Sequence, residues 1–572
     1  MSKNEENDLT QDSDKIPNDT SGNRNLEEQD NVNNEHTASD NKESPYTHSA
    51  AETDGPSLPQ RSPSMTYEDM FDLTGHGRFN FWALIATSLF LWYSAIETLS
   101  MAYVLTPIEC DLALSVAEKG LISSGCYIGL LFTGLCWGGI TDKYGRKKVI
   151  VPTVISCLFF SFLSSMSTNF WAMFFFRVIV GTMLSASFST VLVYLGEVNT
   201  RAYRDKAVSW AITISVTLFI VIPALAWAII PGRWTINIHT MIVRPWRVFM
   251  WMWSLIGGMA VLILIFLPES PRFLYAAKGI RAALPAVVQI FAWNKKKKKE
   301  EFPVITLAST STTILDVKEK TLKETVNHMS LLLRKPMLMP MLITHFCMFI
   351  VHLTVFGLYM WLPDIFYATM QHLDLKISMC DIIVIKYGDK GLKNATRVSM
   401  FSGGGDTGET CAGLSSDMYP VSMLAEFVFM LPYFGLSLLI HRINKIHIYS
   451  VTLGVSQVLF VMSAFIRQPI VAMILIIFGT ASAVPAILTA MADEVFPTTL
   501  RATAMCTMFM AGEIGTILGA NLMPLCALSV QWCWGLFICV AIANLASCVW
   551  IEVGWPNVEQ VRAIMEERGF PY

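Results

Sequence analysis

The sequence predicts an all-α polytopic membrane protein with twelve transmembrane helices in two six-helix bundles. The first observation is the composition: of 572 residues, 53% are hydrophobic and only 15% are charged, and the mean hydropathy is +0.46. The second is that apolar segments of about 20 residues recur, each long enough to cross about 30 Å of hydrocarbon. The third is their grouping, since six segments precede a long Lys-rich interval and six follow it. Together these features exclude a soluble globular protein.

The apolar segments set the predicted organisation of the chain. The predicted spans lie near residues 79–105, 119–140, 147–168, 171–195, 206–231, 247–267, 337–362, 419–440, 446–466, 469–492, 503–525 and 532–552. Five regions follow from them: an N-terminus over 1–70, a first bundle over 71–271, a linker loop over 272–336, a second bundle over 337–552 and a tail over 553–572.

The N-terminal region is rich in Asn, Asp, Glu, Ser and Thr and has few aromatic residues. Such a segment cannot bury enough apolar surface to offset its ordering entropy, so we expect it to be disordered. No cleavable signal peptide is expected, because the first apolar run begins only near Phe79. The net charge of -3 gives no reason to expect a nucleic-acid partner. The Lys295–Lys299 run predicts a solvated loop rather than a lipid-headgroup site.

Basic residues predict which loops face the cytoplasm. Lys and Arg gather at residues 143–148, 201–206, 272–335, 442–445 and at Arg501, which all share one side if the N-terminus is cytoplasmic. Arg233, Arg244 and Arg247, before the sixth span, go against this trend. The sequence therefore predicts that both termini are cytoplasmic.

This topology places residues 363–418 in the lumen. That loop contains Asn394-Ala395-Thr396, an N-glycosylation acceptor on the correct side. It also holds Cys380 and Cys411, which could form a disulfide in an oxidising lumen. A second acceptor, at Asn18, lies on the cytoplasmic side and should remain unmodified.

The loop between the second and third spans carries the most specific motif of the chain. It has the pattern G-x-x-x-D-[RK]-x-G-[RK]-[RK], with the key positions Gly138, Asp142, Lys143, Gly145, Arg146 and Lys147. Glycine permits close packing and a turn, and the basic residues hold the loop in the cytoplasm. At every position the stretch resembles the motif of the major facilitator superfamily, a family of membrane transporters. The alternative is an ordinary basic loop that only orients the protein.

The six-plus-six plan predicts a second copy of this motif after the eighth span. The sequence there ends in His441-Arg442-Ile443-Asn444-Lys445, with His in place of Asp and Asn in place of the second Gly. The internal repeat is therefore visible but eroded.

Other fragments resemble the sugar-transporter branch of the superfamily. The charged residues of these fragments are Glu197, Arg201, Glu269, Arg272, Glu494 and Arg501. The resemblance implies that such carboxylates and arginines pair across the cytoplasmic face in the outward-facing state and separate in the inward-facing state. The alternative is that they only orient helices and cap their ends.

Closer matches resemble the synaptic vesicle glycoprotein 2 family and its insect relatives. They are Gly75–Phe79, Ala226–Pro231, Trp246–Phe249 and Gly357–Asp364. The resemblance implies a twelve-helix transporter fold, a glycosylated lumenal loop and residence in synaptic or secretory vesicle membranes. The chain departs from the family in its short lumenal loop, in Ser94 for an expected Asp, in Pro485 for an expected Trp, and in the end of its last span, Ile551-Glu552-Val553.

Ionisable residues inside spans are costly, so each is a functional hypothesis. Glu97 and Arg177 could form an ion pair beside the substrate path, or a purely structural pair. His345 and His352 are seven residues apart, hence on one helix face, and could carry a coupling proton or simply hydrogen-bond to another helix. Glu426 and Glu513 are the alternative proton carriers.

Three aromatic residues, Tyr127, Trp227 and Tyr359, are candidates for the cavity wall, with ordinary packing as the alternative. No nucleophile–base pair, metal-ligand spacing or nucleotide-binding loop occurs on a soluble domain, so we predict no enzyme, no cofactor and no metal site.

The sequence thus predicts a secondary transporter that moves a small organic solute or ion by alternating access. Its predicted partners are that substrate, the lipid bilayer and vesicle proteins that bind the N-terminus. Its predicted location is a synaptic or secretory vesicle membrane or the plasma membrane. The alternative is a non-transporting vesicle protein that keeps the transporter fold as a scaffold.

Overall fold

The computed structural model describes residues 67–232, 234–238, 241–303, 330–388, 417–439 and 442–568. Asn394, His441, Arg233 and residues 1–66 lie outside the described residues, so the predictions made for them remain predictions; Cys411 lies outside them as well.

Helices dominate the N-terminal half, which we define as residues 67–303. They are α1 (Tyr67–Asp72), α2 (Arg78–Leu99), α3 (Met101–Leu112), α4 (Val116–Tyr144), α5 (Arg146–Ser165), α6 (Phe170–Glu197), α7 (Arg201–Thr217), α8 (Val221–Ile229), α9 (Pro245–Phe266), α10 (Pro271–Lys278) and α11 (Ile280–Lys295). A short hairpin precedes α9, in which β1 (Ile236–Ile238) pairs antiparallel with β2 (Met241–Val243).

The C-terminal half, residues 330–568, is also helical where described. Its helices are α12 (Leu338–Tyr359), α13 (Leu362–Met370), α14 (Met379–Tyr387), α15 (Met418–Leu439), α16 (Lys445–Phe465), α17 (Pro469–Thr480), α18 (Val484–Val495), α19 (Thr498–Ala520), α20 (Met523–Cys526), α21 (Val530–Gly554) and α22 (Val558–Glu567).

The predicted spans agree with the helices of the structure. In the described residues, 11 helices are long and apolar enough to cross a membrane, and a bent pair, Val116–Gly134 with Cys136–Tyr144, makes 12. This pair is α4, the predicted second span, and it bends by 61°. Several other spans consist of consecutive helices, such as α2 with α3 and α7 with α8.

Close helix crossings hold each half together. An added Cβ at Gly181 of α6 would lie 2.0 Å from the carbonyl oxygen of Cys126 in α4, so only glycine allows this approach. In the C-terminal half, an added Cβ at Gly515 of α19 would lie 2.1 Å from the carbonyl oxygen of Phe349 in α12. Small residues permit this contact in membrane proteins, where van der Waals packing drives helix association.

The region predicted as a linker loop contains two helices, α10 and α11. Apolar residues of α11 recur at helical spacing and are buried against the first bundle: Ala283, Val287, Ile290 and Phe291. The segment is too short and too polar at its ends to resemble a span, and its amphipathic pattern accounts for the helix. The predicted tail likewise contains α22.

The two ends of the bundle carry different elements. We call the end with α10, α11 and α22 the linker face, and the end with the β1–β2 hairpin, α13 and α14 the hairpin face. On the hairpin face, Cys380 of α14 forms a disulfide with Cys533 of α21. The predicted pairing of Cys380 with Cys411 is therefore wrong, because α14 packs against the start of α21 and brings Cys533 to it.

Candidate functional site

The loop motif forms an ion-pair cluster on the linker face, centred on Arg146. Its guanidinium donates two hydrogen bonds to Glu197, from Nε to Oε2 and from Nη2 to Oε1, both 3.1 Å long. Nη2 also lies 2.9 Å from Oδ1 of Asp142, one helical turn away. A bidentate arginine–carboxylate contact fixes geometry as well as charge. This cluster therefore joins α4, α5 and the end of α6.

Glu269 completes this cluster as a helix cap supplied from a distant segment. Its carboxylate accepts hydrogen bonds from the backbone N–H groups of Lys147, at 2.9 Å, and Lys148, at 3.2 Å. These are free donors of the first turn of α5, where a negative charge is favourable. Gly145 precedes them with φ of 111°, and an added Cβ there would lie 2.7 Å from Oε2 of Glu269. Glycine is thus required at the turn, as predicted.

Gly138 does not have the close-packing role that was predicted for it. An added Cβ there would meet no atom within 4 Å, so close packing does not require glycine at this position. Lys143 of the same motif places its ammonium 5.9 Å from the centre of the Tyr144 ring.

Two further predicted residues, Arg201 and Arg272, bind a residue that sequence reasoning missed. Both guanidinium groups pair with Glu68 of α1, Arg201 at 3.4 Å. Ser270 was missed as well: its hydroxyl donates to Glu197 at 2.6 Å and caps α10 by accepting from the backbone N–H of Phe273. The first turn of α1 contains two adjacent acidic residues, Glu68 and Asp69. This acidic pair is the sequence signal that could have identified Glu68 as a partner of the arginines.

The C-terminal half has a counterpart on the same face. Lys445, the last residue of the eroded repeat, pairs with Glu494, and Arg501 pairs with Asp493 at 3.2 Å between Nε and Oδ1. A basic residue after one span thus binds a carboxylate at the end of another, as Arg146 binds Glu197. Each ion pair named on the linker face joins residues of one half, which is not the cross-half pairing that the resemblance implies for a closed cytoplasmic gate.

On the hairpin face, by contrast, an ion pair joins the two halves. Lys119 of α4 donates to Oδ2 of Asp364 in α13 at 2.9 Å, and both side chains are completely buried. Thr106 of α3 donates to Oδ1 of Asp364 at 2.8 Å. Lys386 and Tyr387 of α14 also donate to this carboxylate. We call Lys119, Thr106, Asp364, Lys386 and Tyr387 the hairpin-face network.

Charge neutralisation accounts for the burial of this network. Burial alone would raise the pKa of the Asp364 carboxyl, but the ammonium groups of Lys119 and Lys386 hold that pKa well below its usual range. Lys119 is further paired with Glu109 at 2.6 Å. A buried carboxylate with two ammonium partners and hydroxyl donors is fully satisfied, as a charge in a dry environment must be.

The basic residues that oppose the predicted charge bias also have a partner. Arg247 lies 3.0 Å from Oδ2 of Asp111, and Arg244 lies 3.0 Å from its Oδ1. The indole N–H of Trp246 donates to the same carboxylate at 3.2 Å. Both cations therefore share one carboxylate at the end of α3, which offsets part of the positive charge on the hairpin face.

Within the N-terminal half, Glu97 and Arg177 form the ion pair that the sequence suggested. Nη1 of Arg177 lies 3.0 Å from Oε2 of Glu97, and both side chains are buried. Ser161 donates to Glu97 at 2.7 Å, and Nε of Arg177 donates to Ser164 at 3.1 Å. These partners all belong to the first bundle, which favours a structural pair over one that lines a path between the halves.

The two histidines both contact α19, so they share one helix face as predicted. Nε2 of His345 lies 2.9 Å from Oγ1 of Thr507, and His352 packs against Gly512. Nδ1 of each histidine is hydrogen-bonded to the backbone carbonyl four residues earlier. His345 thus makes the hydrogen bond between helices that is the alternative to proton transfer, whereas the hydrogen bond of His352 lies within its own helix.

Glu426 of α15 lies where the halves meet. Its Oε1 accepts hydrogen bonds from Tyr359 of α12 and from Tyr103 of α3, the latter at 3.3 Å. The side chain is 1% exposed, and Oε2 has no hydrogen-bond partner. Of the other cavity candidates, Tyr127 is buried, whereas Trp227 is 45% exposed. Sequence reasoning missed Tyr103, which lies in the first predicted span, because its partner Glu426 is 323 residues away.

The fold and these networks define a polytopic membrane protein with two helical halves that meet through polar contacts. The family model of the Major Facilitator Superfamily matches residues 84–405, more than half of the chain. The chain therefore belongs to the major facilitator superfamily.

Within that family the chain is similar to synaptic vesicle glycoproteins, as its motifs suggested. It is 31% identical to synaptic vesicle glycoprotein 2B of Mus musculus over 248 residues, which are 43% of this chain and 36% of that protein. It is 32% identical to synaptic vesicle glycoprotein 2C of Homo sapiens over 36% of this chain and 29% of the relative. The matched region thus spans about a third of these relatives' length.

Among solved structures, the xylose transporter XylE from E. coli in a partially occluded inward-open conformation has a TM-score of 0.57. It is 10% identical, and the match covers 84% of this chain and 100% of that one. The nucleoside transporter NupG has a TM-score of 0.51 at 13% identity, covering 83% of this chain and 100% of that one. At such identities the likeness concerns the fold.

Proposed function

We propose that the protein is a secondary transporter that moves a small organic solute or ion by alternating access. The observation that carries this proposal is the different pairing at the two faces. Completely buried charges of opposite halves are paired on the hairpin face, whereas the motif ion pairs of the linker face each stay within one half. This is the arrangement expected of a transporter that is closed on one side and whose gate residues are separated on the other.

The proposed topology makes the linker face cytoplasmic and the hairpin face lumenal, with both termini in the cytoplasm. The basic residues of the loop motif support this assignment. We further propose residence in a vesicle membrane, which the similarity to synaptic vesicle glycoproteins supports. The acidic N-terminal region is the proposed binding segment for vesicle proteins.

In this mechanism the hairpin-face network is the lumenal gate. Opening to the lumen separates Lys119 and Thr106 from Asp364, and the cytoplasmic motif residues then pair across the opposite face. Because a buried ion pair is costly to break without replacement partners, the bundle has two discrete states rather than a continuum.

An uptake screen in proteoliposomes tests the proposal. Cations, anions, amines and sugars are offered to the full-length protein, with Asp142→Asn as a motif variant. A Lys119→Cys, Asp364→Cys double variant provides the gate test: cross-linking should abolish flux, and reduction should restore it. The same treatment of the unmodified protein controls for the native Cys380–Cys533 disulfide.

Flux that persists in the cross-linked variant would contradict alternating access through this gate. No flux of any solute, together with specific capture of vesicle proteins by the N-terminal region, would instead support the scaffold function. The retained Lys445–Glu494 pair argues against that alternative, because the eroded repeat still supplies the ion pair of its half.

A further inference from the structure

We propose that Glu426 binds a small organic cation between the two halves, with Glu513 as a second carboxylate that attracts it, which makes the substrate class cationic. This inference rests on the proposed transport function and names its substrate. It is carried by two buried carboxylate oxygens that have no partner.

One carboxylate oxygen of Glu426 is hydrogen-bonded to both halves, and the other has no hydrogen-bond partner. Tyr103 from the N-terminal half and Tyr359 from the C-terminal half both donate to Oε1, which fixes the orientation of the carboxylate. Oε2 is buried and has no hydrogen-bond partner. Burial of a carboxylate oxygen without a partner is unfavourable. A ligand that supplies a positive charge at this oxygen is therefore favoured.

Glu513 of α19 is a second carboxylate of this kind at similar depth. Its Oε2 is also buried without a hydrogen-bond partner, and α19 packs against α4 of the opposite half. Glu426 lies eight residues from the start of α15, and Glu513 lies seven residues from the end of α19. At 1.5 Å per residue both are about 10 to 12 Å from the hairpin face.

The surrounding charges leave these two carboxylates unneutralised. In the described spans, each buried cation already has an acidic partner: Lys119 has Asp364 and Glu109, and Arg177 has Glu97. Arg247, at the start of α9, has Asp111. No basic side chain of the described residues forms an ion pair with Glu426 or Glu513. Neither carboxylate therefore has a counter-charge among the described residues, which favours a cationic ligand over an anionic one.

The form of the site favours an organic cation over a metal ion. No group of three or more His, Cys, Asp or Glu side chains with metal-binding geometry occurs in the described part of the chain. A hard divalent ion requires six or more oxygen ligands, whereas a quaternary or primary amine needs one carboxylate and an apolar surround. A sugar would require several amide or hydroxyl partners instead of a single charge.

Thermal unfolding of the purified full-length protein tests this assignment with choline as the probe. Its neutral isostere, 3,3-dimethylbutan-1-ol, has the same shape without the charge. We expect choline to raise the unfolding midpoint in a saturable manner and the alcohol to leave it unchanged. The comparison uses the unmodified protein, so it does not depend on the folding of any variant.

The variant Glu426→Gln removes the charge and keeps the tyrosine contacts. We expect it to weaken the choline effect at least about tenfold, and Glu513→Gln to weaken it less, because Glu513 is only partly buried. Glu566→Gln, on the exposed face of α22, is the matched control and should bind choline normally.

Equal shifts with choline and the alcohol, or an undiminished choline shift in Glu426→Gln, would overturn the inference. So would a midpoint that depends on pH but not on choline, since the carboxylates would then take a proton only. Gate-dependent flux of a neutral or anionic solute that survives Glu426→Gln would overturn the cation site and leave the transport proposal intact. Choline binding without flux of any solute would support the site and contradict transport.

Discussion

At the scale of single residues, buried carboxylates differ in whether other side chains satisfy all of their oxygens. Glu97 and Arg177 satisfy each other inside the first bundle, whereas Glu426 retains a free oxygen between the halves. Both carboxylates were identified from the sequence as costly charges in apolar spans. The sequence did not predict their different surroundings, because the partners of each carboxylate come from helices that are distant in the chain.

The Glu97–Arg177 pair predicts an unequal response to single and double substitution. Glu97→Gln leaves Arg177 buried without its counter-charge, which should destabilise the protein by about 3 to 5 kcal/mol. Glu97→Gln combined with Arg177→Met removes both charges and should be better tolerated. Thermal unfolding in detergent measures the difference, and equal damage from the single and double variants would contradict the pairing.

Asp364 predicts that the hairpin-face network withstands acidification. Because its pKa in the folded protein is depressed, its stabilising contribution is present above the ordinary carboxyl pKa of about 3.9 and is lost only as the pH falls through the lower folded value. The difference in unfolding midpoint between the natural protein and Asp364→Asn should therefore stay constant from about pH 8 to about pH 5. A difference that disappears within this range would show that Asp364 is not held ionised.

At the scale of elements, short segments attached to the bundle join residues that the spans alone would not connect. Asn294 at the end of α11 donates to the carbonyl of Gly75 at 3.1 Å and to Oδ1 of Asn80 at 2.7 Å. It also accepts from the backbone N–H of Phe79 at 3.0 Å. An added Cβ at Gly77 would lie 2.9 Å from the Asn294 backbone. The Gly75–Phe79 motif thus binds the linker helix to the first span.

Asn294→Ala should loosen the attachment of α11. Each lost hydrogen bond contributes about 1 kcal/mol, so the loss of several should increase cleavage by trypsin in the Lys295–Lys299 run. Asn237→Ala, in the β1 strand of the opposite face, serves as the control. Cleavage at the natural rate in Asn294→Ala would show that these bonds do not hold the helix.

The Cys380–Cys533 disulfide should hold α14 against α21 and so keep Lys386 and Tyr387 in the hairpin-face network. Cys533→Ser should lower the unfolding midpoint and free one thiol at Cys380, which is buried and is therefore labelled with maleimide after unfolding under non-reducing conditions. Cys136→Ser, which removes an exposed free thiol, is the control. Unchanged labelling in Cys533→Ser would contradict the pairing.

At the scale of the whole molecule, the proposed mechanism depends on the relation of the two halves. The contacts between them include α4 with α19, α8 with α15 and α3 with α13. The contact of α3 with α13 includes the hydrogen bond from Thr106 to Asp364 in the hairpin-face network. Because each described helix belongs to one half only, the relative position of the halves depends on such side-chain contacts, and each half can move as a unit.

The predicted topology has a direct test in glycosylation. Expression in eukaryotic cells should yield a protein whose electrophoretic mobility changes with a glycosidase, and Asn394→Gln should abolish that change. Asn18→Gln should have no effect, because the N-terminus is predicted to be cytoplasmic. A glycan at Asn18, or none at Asn394, would argue against the proposed orientation.

Local composition was sufficient to predict the spans, the loop motif and the family. Transfer of an apolar segment into lipid depends on its own residues, so twelve spans could be identified without knowing how they pack. The helices α10 and α11 were missed because their apolar stripe is short, and helical periodicity in a polar linker is a weak signal.

Long-range pairing required the folded chain. Lys119 and Asp364 are 245 residues apart, Cys380 and Cys533 are 153 apart, and Glu68 reaches Arg272 over 204 residues. Many helix arrangements would bury the same apolar area in a bilayer. The choice among them depends on close packing and on matching each buried charge to a partner, and these are properties of the assembled bundle rather than of any one segment.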